Sequence, residues 1–304
     1  MLLALLLLSA SAAQEPEAIS LLGRPLVPPA LSDSTRRGYE RKLDEARRAY
    51  DRTPNDPDSI IWLGRRTAYL GRYREAIAIY TRGIAQHPGD ARLYRHRGHR
   101  YLTVRLLDSA IADFERAAQL IEGKPDQVEP DGLPNARGIP TSTLHSNIRY
   151  HLGLAYYLKG DFERALGPYR ADVQAARATG NNDMLVATSH WLYMALRRLG
   201  RRDEAARGLE PIRRDMDVIE NGSYHRLLLL YKGELPVDSL LPARPKDSSM
   251  ATVEDVTTAY GVANWHYYEG RTVEAIAMFR RIVASPAWAA FGYLAAEAEL
   301  ARLQ

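Results

Sequence analysis

The chain has 304 residues, contains no cysteine and carries a formal net charge of +4 at pH 7. The absence of cysteine excludes disulfide bonds, thiolate metal sites and a cysteine nucleophile. The small positive charge gives no reason to expect a nucleic-acid ligand.

The amino-terminal segment predicts export from the cytoplasm. Residues 1–8 are all apolar, residues 9–13 are small, and polar residues begin at Gln14. This order is typical of a secretory signal peptide, which we predict over residues 1–13, and the apolar run is shorter than the roughly 20 residues of a membrane-spanning helix. We therefore expect a periplasmic or secreted protein with no membrane span after cleavage. An uncleaved anchor is the alternative, because basic residues do not precede the apolar run.

The next two segments lead into the folded part of the chain. Residues 14–33 are proline-rich and are expected to be flexible. Residues 34–52, with Tyr39, Ala46 and Tyr50 on one helical face, predict an opening half-unit of a stack of helices.

A hexapeptide then recurs along the chain. Residues 71–76 read GRYREA, and the motif returns as GDFERA at 160–165, GRRDEA at 200–205 and GRTVEA at 270–275. The glycine suits a left-handed turn that ends one helix before the next begins. One helix–turn–helix unit has therefore been copied, which indicates a solenoid and a binding protein rather than an enzyme.

The spacing around the hexapeptide identifies the unit. With Ala76 at position 20 of a unit of about 34 residues, Gly64 falls at position 8, Tyr80 at 24 and Pro88 at 32. Small residues at positions 8 and 20 let two antiparallel helices approach closely. The pattern resembles the tetratricopeptide repeat family over about residues 57–289. The resemblance implies an all-α fold, a right-handed superhelical solenoid of antiparallel helix pairs.

The solenoid is predicted to occupy residues 34–304. Its units are 57–90, 91–124, 146–179, 186–219, a degenerate unit at 220–253, and 256–289, and residues 288–303 are predicted to form a capping helix at the open end of the stack. Residues 125–145 contain four prolines and two glycines and must form a loop. A loop of this length is either a flap over the concave face or a disordered insertion.

The resemblance also implies a binding surface, because the family's ligands usually lie along the concave groove formed by the first helix of each unit. The positions that commonly face this groove carry basic and aromatic residues: Arg65, Arg92, Arg95, His99, Tyr150, Tyr157, His190, Arg197, Tyr260 and Asn264. Arginine grips carboxylates and tyrosine offers a flat apolar face, so the groove suits an acidic or carboxylate-ended peptide. The alternative for each residue alone is a solvated arginine or a packed tyrosine.

Histidines and missing enzyme motifs bear on the other possible functions. His96 and His99, and His145 and His151, could share helix faces and bind a metal, but no ligand motif accompanies them and no metal or cofactor is predicted. Motifs for a catalytic serine, a phosphate loop or a dinucleotide are missing. The predicted function is an exported scaffold that binds a protein or peptide. The alternatives are a small-molecule or metal-binding protein whose pocket is closed by residues 125–145, and a purely architectural subunit.

Overall fold

A computed structural model describes residues 15–241 and 252–304 of the protein. The predicted signal peptide at 1–13 lies outside these ranges. Within them the chain forms a two-stranded hairpin and thirteen α-helices. The hairpin strands are β1 (Ala18–Ile19) and β2 (Pro25–Leu26), and the helices are α1 (Asp33–Arg52), α2 (Pro57–Tyr69), α3 (Tyr73–Gln86), α4 (Ala91–Thr103), α5 (Leu107–Ile121), α6 (Leu144–Lys159), α7 (Phe162–Thr179), α8 (Asn182–Arg198), α9 (Arg202–Gly208), α10 (Gly222–Tyr231), α11 (Val253–Tyr268), α12 (Thr272–Ile282) and α13 (Phe291–Arg302).

Local sequence explains where several helices begin. The carboxylate of Asp56 accepts the backbone N–H of Ser59 at 3.0 Å, and Pro57 occupies the first helical position of α2, where its missing N–H costs nothing. Thr252 and the third residue of α11 form a reciprocal capping box. The turn before α3 places Gly71 at φ +78°, a left-handed conformation that side chains disfavour.

Glycines also set the spacing inside the helix pairs. A Cβ added at Gly64 in α2 would lie 2.5 Å from the ring of Tyr80 in α3, and one added at Gly153 in α6 would lie 2.5 Å from the ring of Tyr169 in α7. Each aromatic ring therefore rests directly on the backbone of its partner helix. The same glycine and tyrosine spacing in two different pairs shows that the repeated sequence builds a repeated packing.

The helix pairs stack in two layers. The first helices α2, α4, α6 and α8 contact one another in succession, and α8 also contacts α11, so these five form the inner layer. The second helices α3, α5 and α7 each contact the first helix of the next pair. The all-α fold of stacked antiparallel helix pairs predicted from the sequence is confirmed. Within the described ranges, every helix is too short or too polar to cross a lipid bilayer.

The stack is irregular where the sequence predicts a degenerate unit. Helix α9 has only seven residues, and α10 packs between α8 and α11 instead of starting a regular pair. Between α10 and residue 241 the described chain contains one 3₁₀ turn, Val237–Ser239. Pro236 directly precedes this turn and has no N–H to donate to a helical hydrogen bond.

The segment predicted to be flexible at 14–33 is folded where the structure describes it. Strands β1 and β2 pair antiparallel, and Ala18 is buried. The hairpin packs against distant parts of the chain, since Trp288 Nε1 donates to Val27 O at 2.6 Å and the backbone N–H of Leu21 donates to the carboxylate of Glu297. These long-range contacts, which proline content does not reveal, hold the segment in place.

Candidate functional site

Helix α13 lies on the inner side of the stack. It contacts α11 and α12 and also reaches α6. Its Glu297 carboxylate is fully buried and pairs at 2.8 Å with Arg105, in the turn between α4 and α5. Glu299, also buried, accepts a hydrogen bond at 2.6 Å from Arg198 at the end of α8. The helix predicted to cap the open end of the stack therefore extends across the concave face and occupies part of the groove.

The loop at 125–145 crosses the concave face from another direction. Its two ends pair with each other, since Glu129 N donates to Ser142 O at 3.2 Å. Near its start, Arg65 donates to the carbonyl of Pro130 at 2.7 Å and Arg66 donates to that of Gly132 at 2.8 Å. The loop is thereby fixed to α2 on the first side of the groove.

The other end of the loop is fixed to the segment before α10. Asn135 Nδ2 and Thr141 Oγ1 both donate to the carboxylate of Glu220, at 2.7 and 2.6 Å. Glu220 is itself held because the Asp183 carboxylate accepts the backbone N–H groups of Glu220 and Asn221 at 2.7 and 3.0 Å. The loop is therefore an ordered bridge over the groove.

Helix α13, the loop and α10 leave a cavity of about 370 Å³ between them, which we call the inner cavity. Its lining comes from α4, the loop, α6, α8, α10, α11 and α13: Arg95, His99, Thr141, Ser142, Asn147, Tyr150, His151, Met184, Ala187, Glu220, Asn221, Ser223, Tyr224, Val253, Glu254, Thr257 and Phe291. The lining combines aromatic faces with polar groups at several points, which is the composition of a ligand site.

An apolar cavity of about 700 Å³, which we call the outer cavity, adjoins the inner one. The two share His99, Val253 and Phe291. The rest of the outer cavity is lined by proline and alanine side chains, namely Pro29, Ala30, Pro286, Ala287, Ala289 and Ala290. A ligand that enters both cavities meets an apolar wall outside and a polar wall inside.

Two imidazoles and a phenyl ring form one wall of the inner cavity. The ring centroids of His99 and His151 are 4.7 Å apart, and that of Phe291 lies 5.5 Å from each. Burial lowers the pKa of His151 to about 3, and burial together with Arg100 holds the pKa of His99 well below its usual value. Both rings are therefore neutral at physiological pH.

The protonated nitrogen of His151 can be assigned from its partner. Nδ1 lies 2.5 Å from the carbonyl oxygen of Asn147, so it must donate. In the neutral ring Nε2 is then an acceptor. Within the described part of the chain Nε2 makes no hydrogen bond, although the side chain is 4% exposed and lines the cavity.

Arg95 enters the inner cavity as one half of an ion pair. Its Nε lies 3.1 Å from Oε2 of Glu129, and both side chains are nearly buried. Glu129 also accepts from Asn147 Nδ2 at 3.1 Å, and Arg95 Nη1 donates to Nδ1 of His96 at 3.1 Å. The charge of this arginine is thus compensated within the protein, while its guanidinium still forms part of the wall.

The residues predicted to face the groove fall into several environments. Three of them, Arg95, His99 and Tyr150, line the inner cavity. Arg65 and Arg92 instead line a separate space of about 170 Å³ under the start of the loop. Arg92 already pairs there with Asp90 and Asp58.

The other predicted groove residues are buried or paired inside the protein. Tyr157 and Tyr260 share a hydrogen bond of 2.8 Å, and Asn264 Nδ2 donates to Tyr157 Oη at 3.0 Å. His190 is fully buried, and Arg197 donates to Glu269 at 2.5 Å. Because α8, α10, α11 and α13 pack together here, the structure places these residues out of reach of a partner, contrary to their predicted exposure in an open groove.

Several lining residues were not anticipated from the repeat pattern. Phe291, Tyr224, Glu220 and Glu254 come from α13, from the irregular unit and from helix starts. Of these elements, only α13 could have been recognised from the sequence as part of the site. Residues 291–300 are apolar around the whole helix apart from two glutamates, and this composition is typical of a buried helix rather than a terminal cap. Within the described ranges, no three potential ligands among histidine, aspartate and glutamate are grouped to hold a metal ion.

Comparisons with known proteins give one family match and several structural similarities. Residues 66–92 match the tetratricopeptide repeat family. The chain is similar to the structure of YrrB, a TPR protein with an unusual peptide-binding site, at 14% identity and a TM-score of 0.44, covering 80% of this chain and 92% of that one.

Two further structures are similar at a lower TM-score. Naa15/Naa10 bound to HypK-THB matches at 14% identity and a TM-score of 0.38, with 81% of this chain and 34% of that one covered. The P58(IPK) TPR domain matches at 15% identity and a TM-score of 0.23, with 86% and 93% covered. No curated protein matches the sequence significantly.

Proposed function

We propose that this tetratricopeptide-type helical solenoid binds a short segment of a partner polypeptide in its inner and outer cavities. The observation that carries the proposal is the filling of the concave groove by α13 and by the loop at 125–145, with the two adjoining cavities left between them. A long peptide laid along the whole groove would have to displace a packed helix. A segment of a few residues fits without any displacement.

The lining of the cavities supports a polypeptide ligand. Tyr224 and Phe291 offer flat faces for side chains, and the hydroxyl and amide groups of Ser142, Asn147 and Thr257 can pair with a peptide backbone. The apolar outer cavity can take a neighbouring side chain. We propose binding rather than catalysis, since this combination recognises shape and polarity.

An acidic ligand finds less support than the sequence suggested. Arg92 and Arg197 pair with carboxylates of the protein itself, and Arg95 is held by Glu129. An acidic peptide would have to compete with these partners, and removing one partner of a buried pair is costly.

A variant that fills the inner cavity tests the proposal. Ser223 lies half-buried on α10 and lines the cavity, so Ser223→Trp places an indole in the ligand's space. We expect the dissociation constant of the best ligand from an array of capped hexapeptides to rise at least tenfold, measured by fluorescence anisotropy. Gly222→Trp is the matched control, because Gly222 is exposed and has no neighbouring atom within 4 Å of an added Cβ. Equal binding by both variants, or no binding by the folded wild type, would overturn the proposal.

A low-mass ligand is the second candidate, favoured by the roof that the loop places over the inner cavity. Native mass spectrometry of protein purified from its own cell separates the two. A stoichiometric bound compound below about 1 kDa, retained by the wild type and lost in Ser223→Trp, would favour the small molecule over the peptide.

We also propose that the protein is exported, because residues 1–13 have the order of a signal peptide. Amino-terminal sequencing of the protein recovered from its own cell is expected to start at about Gln14. An intact Met1 would contradict cleavage.

A further inference from the structure

The inner cavity carries more negative than positive charge. Three ionised side chains line it: Arg95, Glu220 and Glu254. Arg95 is compensated by Glu129 at 3.1 Å, in a pair whose side chains are about one-tenth exposed. The two remaining carboxylates therefore face the cavity without a cation of the lining to balance them.

The two carboxylates differ in how they are held. Glu220 accepts from Asn135 and Thr141 and is fixed in place, yet a carboxylate has room for about four hydrogen bonds. Glu254 is exposed in the first turn of α11, at the rim of the cavity. One carboxylate is thus held in the wall by hydrogen bonds, and the other is an exposed acceptor in the first turn of α11.

Neutral acceptors accompany the carboxylates. His151, itself more than nine-tenths buried, presents the unprotonated Nε2 to the cavity. Asn147 donates through Nδ2 to Glu129 and Ser142, so its Oδ1 is left as an acceptor. These atoms can accept hydrogen bonds from a ligand group rich in N–H donors, whereas an anion offers them no donor.

Aromatic faces complete this environment. Phe291 and the rings of His99 and Tyr224 line the same cavity, and a cation over a Tyr or Phe face is attracted by the ring quadrupole. Acceptors, net negative charge and aromatic faces together form the environment in which proteins hold ammonium and guanidinium groups.

We infer that the inner cavity binds a lysine or arginine side chain of the partner polypeptide, while an adjacent apolar side chain enters the outer cavity. This inference rests on the proposed function, since it names the chemistry of the segment that the two cavities take. The shared residues His99, Val253 and Phe291 place the two side chains next to each other in the ligand.

The test uses the full chain and capped hexapeptides as probes. At one position of the peptide, each of the twenty amino acids is tested in turn. The neighbouring position is alanine, leucine or phenylalanine, and the remaining positions are glycine and serine. We expect Arg and Lys beside Leu or Phe to bind at least tenfold more tightly than Gln or Glu at the same position.

A charge reversal at the rim provides the matched pair of variants. Glu254→Lys is expected to weaken binding of the best basic peptide about tenfold and to leave its glutamine analogue nearly unchanged. Glu274→Lys is the control, because Glu274 is an exposed glutamate in the first turn of α12 and does not line either cavity. Both variants make the same change at a helix start, so a general effect on the helix would appear in both.

The outcomes separate the inference from the proposed function. If peptides bind and Ser223→Trp blocks them, but acidic or neutral residues are preferred, the basic side chain is overturned while peptide binding stands. If Glu254→Lys and Glu274→Lys weaken binding equally, the cavity charge plays no specific part and the inference fails. If the folded wild type binds no peptide, both proposals fail.

Discussion

Replacing Glu297 with alanine is expected to lower the free energy of unfolding by about 3–5 kcal/mol. The Glu297 side chain is 1% exposed and that of Arg105 is 3% exposed, and their charged atoms lie 2.8 Å apart. The alanine variant leaves the guanidinium buried without its partner, which is the costly way to break a buried pair. It also leaves the backbone N–H of Leu21 without its acceptor.

The backbone at Arg105 adds a second reason to expect a large effect. Arg105 has φ +67°, and it is the only non-glycine residue in the described ranges with a positive φ. The corresponding turns before α3, α7, α9 and α12 have Gly71, Gly160, Gly200 and Gly270. An arginine in this conformation costs on the order of 1 kcal/mol or more, so its contacts with α13 must outweigh that cost.

Chemical denaturation of a small set of variants measures this pair. Arg105→Met/Glu297→Leu removes both charges together and is expected to destabilise less than Glu297→Ala alone. Glu274→Ala removes an exposed glutamate and should change the unfolding free energy by no more than about 0.5 kcal/mol. A loss below about 1 kcal/mol for Glu297→Ala would contradict a buried pair between α13 and the inner layer.

The second large effect is expected at the contact between α13 and α11. A Cβ on Gly292 would lie 2.7 Å from the carbonyl oxygen of Val256 and 3.0 Å from its carbonyl carbon. Backbone atoms cannot rotate away as a side chain can, so Gly292→Ala must push the two helices apart. We expect it to destabilise the protein by about 1–3 kcal/mol.

Gly38→Ala is the control for this substitution. Gly38 lies within α1, and an added Cβ there would meet only the end of the Arg41 side chain, at 4.0 Å. Alanine is favoured over glycine in a helix by roughly 0.5–1 kcal/mol, so this variant should be more stable than the wild type. The same urea titration measures both variants. Shifts of the same sign would show that the helix preference, and not the close approach of α13, decides the outcome.

The sequence predicts the parts of this fold that depend on neighbours in the chain. The hexapeptide at 71–76 and its copies mark real turns, and the spacing of Gly64 and Tyr80 corresponds to a direct contact between two helices. These features repeat because the two helices of each unit pack against each other in the same way. A single sequence is sufficient to find them.

The candidate site could be predicted only in part, because it depends on contacts between remote residues. Arg105 and Glu297 are 192 positions apart, and although an arginine replaces the turn glycine at position 105, that departure does not identify its distant partner. The repeat pattern assumes an open groove, which places His190 and Tyr260 on its surface. Once α13 enters the groove those positions become core, and only residues at its edge, such as Arg95 and Tyr150, stay accessible to a ligand.

The amino-terminal hairpin contacts α13, and this contact affects the cooperativity expected for unfolding of the whole stack. In an open solenoid each unit touches only its neighbours, so terminal units can fray independently. Here Leu21 and Glu297 are joined across 276 positions, and both end segments meet at the turn carrying Arg105. Closing so large a loop raises the contact order and slows folding, but it couples the first and last units to the middle. We therefore expect this chain of repeats to unfold in one all-or-none transition, as a globular domain does.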